Sequence, residues 1–427
     1  MFSLKTKFSI LKALLFKRKA PYYIQYYING RCHLKCKQCN IVETNSNVKE
    51  ASLEEIEIIG KNIADIGGGV VLLTGGEPFL RKDIHLIVKT LKKNNLDVRL
   101  QTAGIATTEQ LELCYKEGAR DLNISLDSLD SNKQDYINSV PNSWDAAIDA
   151  ISRVSNVFSD ESAICSLGCV LSKFNFREIP AILEFATKIG WYLSLVPVHI
   201  TTQEEFMGFR SYDNTFLFEE GDFEELEKVI KKLIEMKSQG YNLFDSESYL
   251  WSSYNFLKTG KETWRKKGVC DSPDLYFAIR PNGEFTTCCD YTLEETKSLA
   301  DPNFSKYYKE GVLHKLSDPY VKNCSGCHYG SYPEVTISVR DPKAFIERVK
   351  LVLTQGKGKV KSLPKIEYYN IINELKEKYK DVYEGQPHMS NVLIKWKDPS
   401  SRKELIKQDN EVRKNQNRLR LRPKDDL

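Results

Sequence analysis

The chain has 427 residues, 41% of them hydrophobic and 28% charged, with 62 basic against 58 acidic side chains and a formal charge of +4. That length supports two or three domains with buried cores, and so small a charge gives no electrostatic case for a nucleic-acid partner. The 11 cysteines fall well short of the roughly 8–10% that marks a small disulfide scaffold, and no run of roughly 18 apolar residues offers a membrane span.

The first twenty residues are basic and apolar, but Lys12 interrupts the apolar stretch and no small-residue cleavage site follows, which excludes an export signal. Leu4, Phe8, Leu11 and Leu15 fall on one helical face, with Lys5, Lys7, Lys12, Lys17, Arg18 and Lys19 around it. Two readings stand for residues 1–19: contact with a membrane surface, or packing against the domain behind. The expected compartment is the cytoplasm, peripheral to the inner face of the membrane under the first reading. There thiols stay reduced, and clustered cysteines bind metal or do redox chemistry.

Short apolar runs then alternate with helical patterns. Strands are predicted at 22–29, 70–74, 97–102, 122–125, 163–171 and 193–198, and helices at 53–66, 84–93, 108–117, 144–157, 179–189 and 223–238. Six β/α units are too few for the eight of a closed barrel, so the expected α/β fold over 21–240 is an open, TIM-like partial barrel. The aromatic-rich segment 241–268 reads as an irregular connection. Strands at 276–279 and 284–287 flank the turn signal Pro281-Asn282-Gly283 within a small domain over 269–332. Residues 333–427 form a charged, mostly helical extension, with 366–379 its clearest helix.

Cys32, Cys36 and Cys39 follow the first strand directly, in the order C-x3-C-x2-C. Three thiolates at that spacing can hold three irons of a four-iron cluster and leave the fourth open for chemistry. A zinc knuckle wants a fourth protein ligand, and His33 is badly placed to be one. Thr74-Gly75-Gly76-Glu77-Pro78 ends the second strand, on the barrel face expected to carry the site.

With both motifs present, the sequence over about 20–240 resembles the radical S-adenosylmethionine (SAM) superfamily. Cys32, Cys36 and Cys39 match its cluster motif, and Gly75, Gly76, Glu77 and Pro78 match its motif for the methionine amino group. The resemblance further implies ribose contacts from Ser125 and Asp127, a cofactor contact from Thr102, and a reach toward the methionine carboxylate from Ser166. Ala103 and Gln38 depart from the family pattern; Gln38 stands where an aromatic residue usually precedes the third cysteine.

In the small domain, Cys270-x12-Gly283-x4-Cys288 is followed by Cys324-x2-Cys327. This resembles the opening of the SPASM domain and, with no cysteine after Cys327, its one-cluster twitch form. The Gly-x4-Cys spacing selects Cys288 over Cys289. The resemblance implies two four-iron clusters and SAM as cofactors, with reduced flavodoxin or ferredoxin as electron donor. The implied chemistry is reductive cleavage of SAM to a 5′-deoxyadenosyl radical, followed by abstraction of a substrate hydrogen atom. Four thiolates close a cluster to ligands, so the auxiliary group is expected to accept the second electron of a net oxidation or oxidative bond formation. A purely structural zinc or iron–sulfur site is the plain alternative there.

The expected substrate is a small molecule or lipid-linked. The rival reading is a SPASM-type maturase acting on a peptide precursor, weakened because only about thirty residues precede Cys32. A molybdenum-cofactor cyclase fits less well, since such relatives use three auxiliary cysteines and end in Gly-Gly, against Asp425-Asp426-Leu427 here. An iron–sulfur electron-transfer protein would leave the Gly-Gly-Glu-Pro segment without a use. No general base is identified; His199, after the sixth strand, is the one candidate. Cys114, Cys165 and Cys169 read as core residues.

Overall fold

The computed structural model describes residues 21–45, 47–198, 216–265, 268–289, 291–324, 326–329, 331–354 and 359–384. Residues 1–20, and with them the basic helical pattern, lie outside the described residues, as does His199. Strands β1 (Tyr23–Asn29), β2 (Val70–Gly75), β3 (Asp97–Thr102), β4 (Asp121–Ser125), β5 (Ile164–Leu171) and β6 (Tyr192–Pro197) pair in parallel, each beside its neighbour in sequence. Their connections carry helices α1 (Ile41–Asn45), α2 (Leu53–Asp65), α3 (Ile84–Lys93), α4 (Thr108–Lys116), α5 (Ser131–Asn138), α6 (Ser143–Val157) and α7 (Ile179–Lys188); α8 (Phe223–Ser238) follows β6. The result is the expected open partial barrel.

Alternation along each strand sorts the core into two layers. Ile24, Tyr26 and Ile28 of β1 join the apolar layer beneath the helices, while Tyr23 and Tyr27 point into the barrel. Local signals set the helix starts: Ser52 and Thr107 each close a capping box with the residue three places on. Helix α5 was not predicted. Its apolar face is thin, but Asp130 caps it through the Lys133 amide and Ser139 ends it in the left-handed region.

The small domain does not stand apart from the barrel. Strand β7 (Tyr276–Ile279) pairs in parallel with β1, and β8 (Phe285–Thr286) folds back antiparallel on β7. Among the described residues, eight strands therefore form one sheet, β6-β5-β4-β3-β2-β1-β7-β8. The hairpin turn also docks on the barrel: Ala51 N–H donates to the Pro281 carbonyl, and Asn62 donates to the carbonyls of Leu299 and Asp301.

The segment expected to be irregular instead contains α9 (Glu247–Thr259), capped by Ser246 and ended by Gly260 at φ +67°. Its serines and aromatic residues are weak helix formers, so burial of Tyr249, Leu250, Ser253, Tyr254 and Leu257 supplies the stability that propensity lacks. Just before it, Leu193 and Phe244 donate to Asn242 and Leu193, so residues 242–244 run along the open edge of β6.

Helices α10 (Phe304–Lys309), α11 (Val312–Asn323), α12 (Ser331–Arg340) and α13 (Pro342–Thr354) complete the small domain and begin the extension. Helix α14 (Lys365–Lys378) returns to the outside of the barrel, where Tyr368, Ile372 and Leu375 are buried and Lys378 binds Glu184 at 2.7 Å. It is followed by α15 (Lys380–Glu384). No helix among the described residues is long and apolar enough to cross a membrane.

Candidate active site

A cavity of about 310 Å³ runs through the barrel, lined from the strand starts at Tyr23, Val70, Asp121 and Ile164 to the C-terminal ends of the strands. Cys32, Cys36 and Cys39 line it together with Gly76, Pro78, Thr102, Ser125 and Asp127. The cysteine loop is pinned on one side by the end of α5: Lys35 and Lys37 donate to the Asn138 and Ile137 carbonyls, and the Cys36 thiol donates to Asn138 Oδ1 at 3.3 Å. Lys37 is buried with its ammonium 4.3 Å from the Tyr136 ring centroid. The unpredicted helix thus holds one face of the cysteine loop.

The other side is held by the Gly-Gly-Glu-Pro segment. Gly76 N–H donates to the Asn29 carbonyl and Glu77 N–H to the Arg31 carbonyl, while the Asn29 amide donates back to the Glu77 carbonyl. A Cβ on Gly76 would lie 2.0 Å from the Arg31 oxygen, and one on Gly75, at φ +143°, 2.3 Å from the Asn29 oxygen. These glycines therefore first serve to bring two stretches of this chain together.

Glu77 does not line the cavity. Its buried carboxylate accepts from Phe79 N–H at 3.1 Å and Ala103 N–H at 2.7 Å, and burial raises it to about 7. It ties the ends of β2 and β3 together. Asp127 accepts from Val170 N–H and from the Gln38 amide, both at 2.6 Å, and burial raises it to about 6. Gln38 is therefore a strap from the cysteine loop to β4 and β5 rather than a bare departure. Ser166 lies below the cavity wall, its hydroxyl 2.9 Å from both Arg99 and Asn123.

Several cavity residues were missed by the sequence reading: Gln25, Arg99, Asp121, Asn123, Phe244, Asp245 and Arg348. For those on β3 and β4 a signal existed. Asp97, Arg99 and Gln101, and then Asp121, Asn123 and Ser125, place polar residues at alternate positions of central parallel strands, which normally read as continuous apolar runs. Phe244, Asp245 and Arg348 arrive from far along the chain and carry no local signal. Asp245 is buried, accepts from Leu195 N–H at 2.6 Å and Ser194 Oγ at 3.2 Å, and is raised by burial and by the charge of Glu334 to about 7.

The second cysteine set comes from three separate stretches. Burial, together with the charges of Cys288 and Cys324, raises Cys270 to about 12, and Cys324 in turn senses Cys288. Arg265 senses both Cys324 and Cys327, donates to the Cys324 carbonyl at 3.0 Å and pairs with the buried Glu262 at 2.7 Å. Gly326 sits against that ion pair, where a Cβ would lie 2.0 Å from Glu262 Oε2. Trp264 donates to the Cys327 carbonyl at 2.7 Å. Cys289 is fully buried, as are Cys114, Cys165 and Cys169. His328 is a core residue: its ring meets Ser252 at 3.1 Å and packs on Tyr249, and burial lowers it to about 3, so it stays neutral. Among the described residues, no three His, Cys, Asp or Glu are drawn together as tightly as a single metal ion needs.

The first set suits an iron–sulfur cluster with a bound small molecule. Three thiols of one loop open on one cavity, Leu34 N–H already donates to Cys32 Sγ at 3.4 Å, and the buried Gln25 Oε1 in the same cavity has no partner among the described residues.

Residues 26–186 match the Radical SAM superfamily. The chain is 27% identical over 266 residues to a probable GTP 3′,8-cyclase of Methanocaldococcus jannaschii, covering 61% of this chain and 78% of that protein. It is 27% identical over 335 residues to an AdoMet-dependent heme synthase of Methanosarcina barkeri, covering 73% of this chain and 93% of that one. Against a probable GTP 3′,8-cyclase of Pyrococcus horikoshii, at 31% identity, it spans 56% of the relative's length. Among solved structures, SuiB of Streptococcus suis has a TM-score of 0.51 at 16% identity, covering 83% of this chain and 75% of that one. anSMEcpe with bound AdoMet and Cp18Cys peptide has a TM-score of 0.52 at 13% identity, covering 85% and 99%. Residues 26–186, from β1 into α7, thus carry the match to the Radical SAM superfamily, whose radical chemistry uses a four-iron cluster and S-adenosylmethionine.

Proposed function

We propose that the protein is a twitch-type radical SAM oxidoreductase that removes a hydrogen atom and then an electron from a small or lipid-linked substrate. The observation that carries this reading is the presence of two cysteine sets around one barrel, three lining the cavity and a second in which Arg265 acts on Cys270, Cys324 and Cys327 while Cys288 acts on Cys270 and Cys324. When bound, the cluster and cofactor supply one-electron cleavage of a carbon–sulfur bond and abstraction of a substrate hydrogen atom. Cys32, Cys36 and Cys39 would hold that cluster, and Thr102, Ser125 and Asp127, on the same cavity wall, would orient the cofactor. Glu77 and Ser166 act one step back: Glu77 fixes the ends of β2 and β3, and Ser166 holds Arg99, which lines the cavity. Pro78 and Phe79 begin a short 3-10 turn capped by Glu77, which seats the segment. Tyr249, Tyr329 and Phe244 add aromatic surface to the cavity wall.

Cys270, Cys288, Cys324 and Cys327 would hold a closed auxiliary cluster that takes the substrate's second electron, with reduced flavodoxin or ferredoxin as the external donor. Four thiols favour this acceptor role over direct substrate binding, and so over a cyclase of the three-cysteine kind. Iron and sulfide content of anaerobically reconstituted Cys270→Ala and Cys288→Ala chains tests the reading. Each variant is expected to lose one cluster and still form 5′-deoxyadenosine; two full clusters in both would overturn it.

A further inference from the structure

Tyr332, the second residue of α12, is 2% exposed, and its hydroxyl is buried with no hydrogen-bond partner among the described residues. A buried hydroxyl without a partner is costly, and in a native fold it calls for an acceptor that completes it. The ring cannot turn away to find another. It stacks on Tyr276 with centroids 4.4 Å apart and planes at 20°, and lies 6.1 Å from Tyr329.

The thiols around it are those of Cys289 and of the second cysteine set. Tyr332 packs in one apolar cluster with Cys289, against which Cys270 and Cys288 also pack. Besides burial, the charges acting on it are those of Cys289, Tyr27, Cys288 and Tyr23, in that order. Its stacking partner Tyr276 senses Cys270, accepts from Asp271 N–H at 3.0 Å, and pairs in strand register with Tyr23. Tyr23 in turn lines the cavity and meets Ser331 at 2.9 Å. The stacked pair thus reaches from barrel strand β1, through the Tyr23–Tyr276 register, to the side of the set that carries Cys270 and Cys288. Tyr276 has its hydroxyl occupied, and Tyr332 has its own to spare.

We propose that the Tyr332 hydroxyl donates a hydrogen bond to a sulfur of an iron–sulfur group held by Cys270, Cys288, Cys324 and Cys327, and so raises that group's reduction potential. A donor aimed at cluster sulfur stabilises the extra negative charge of the reduced form. An electron acceptor beside the cavity is made a better acceptor by it. The inference rests on the two-cluster reading above.

The test is a redox titration of the anaerobically reconstituted full chain, followed by electron paramagnetic resonance, with iron counted in the same samples. Tyr332→Phe is expected to keep about eight irons per chain and to lower the potential of the auxiliary signal while leaving that of the cavity cluster unmoved. Incorporation of 3,5-difluorotyrosine at position 332, a stronger phenolic donor, is expected to shift the same potential upward. It also decides the matter should Tyr332→Phe fail to assemble the group. The apoprotein carrying Tyr332→Phe is expected to melt no lower than the wild-type apoprotein, because the hydroxyl has nothing to lose there. About eight irons with an unshifted auxiliary potential in both variants would overturn the hydrogen bond alone. About four irons in the wild-type chain would instead overturn the reading on which it rests.

Discussion

The two cysteine sets are built in opposite ways. Cys32, Cys36 and Cys39 come from one loop, and the backbone around them is fixed by hydrogen bonds from both sides, to the end of α5 and to the Gly75-Gly76 segment. Cys270, Cys288, Cys324 and Cys327 come from three stretches and are held mainly by side chains: the Arg265–Glu262 pair, Trp264 and the Tyr276–Tyr332 stack. A loop fixed by backbone bonds can be read as a local motif. A set held by side chains depends on distant residues, and damage at any of them should reach the thiols.

The sharpest break of this comparison pairs one cysteine from each set. Under the proposed division of roles, Cys36→Ala is expected to abolish formation of 5′-deoxyadenosine from SAM. Cys324→Ala should leave cofactor cleavage in place and lose one cluster's worth of iron. Loss of cleavage in both would mean that the two sets are not separable.

Arg265 tests the side-chain half. Its side chain is 2% exposed and its partner Glu262 5% exposed. Arg265→Met would leave that carboxylate buried and unpaired and is expected to cost about 3–5 kcal/mol. The loss should fall on the small domain, seen as lower auxiliary iron with cavity-cluster iron retained. Equal loss of both would show that the continuous sheet from β1 to β7 passes the damage on.

Much of this division was legible beforehand. Helices α3 and α8 and strands β3 and β7 were read with both ends correct, because their apolar period is strong and their flanks carry turn residues. Helices α5 and α9 were missed, since the first has little apolar face and the second is rich in serine and aromatic residues. Cysteine spacing pointed to the positions, but could not reveal that Glu77 faces backbone amides, that Gln38 straps Asp127, or that Asp245 and Arg348 reach the cavity. Those are facts of side-chain direction and of contacts between distant segments, and spacing carries neither.

Gly76 tests the backbone half. An added methyl would meet the Arg31 carbonyl at 2.0 Å, and neither backbone can yield without breaking the Gly76–Asn29 and Glu77–Arg31 bonds. Gly76→Ala is expected to cost about 3 kcal/mol in urea melts and to lower cavity-cluster iron selectively. Gly311→Ala is the control: φ is +78° but the surrounding space is open, so about 1 kcal/mol is expected, with iron unchanged. Similar iron loss in both would remove the special role of the close approach.

The smallest expected effect concerns Asp127, the buried carboxyl on which Gln38 straps the cysteine loop. Burial holds it at about 6, above the ordinary carboxylate range, so the folded chain keeps its proton to higher pH than the unfolded chain does. Stability from this group is therefore full at low pH and is lost as pH rises from the unfolded value of about 4 through the folded one. Asparagine stays neutral throughout. It can still accept from Val170 N–H, and its amide can donate to the Gln38 oxygen, which has no partner among the described residues, once the Gln38 side chain turns over. Urea melts of the apoprotein should thus give similar stabilities for wild type and Asp127→Asn near pH 4.5, with the variant ahead by about 1–2 kcal/mol at pH 7.5. A variant less stable at pH 7.5 than at pH 4.5, relative to wild type, would mean that the ionised carboxylate strengthens the strap and that the cysteine loop is held by charge as well as by geometry.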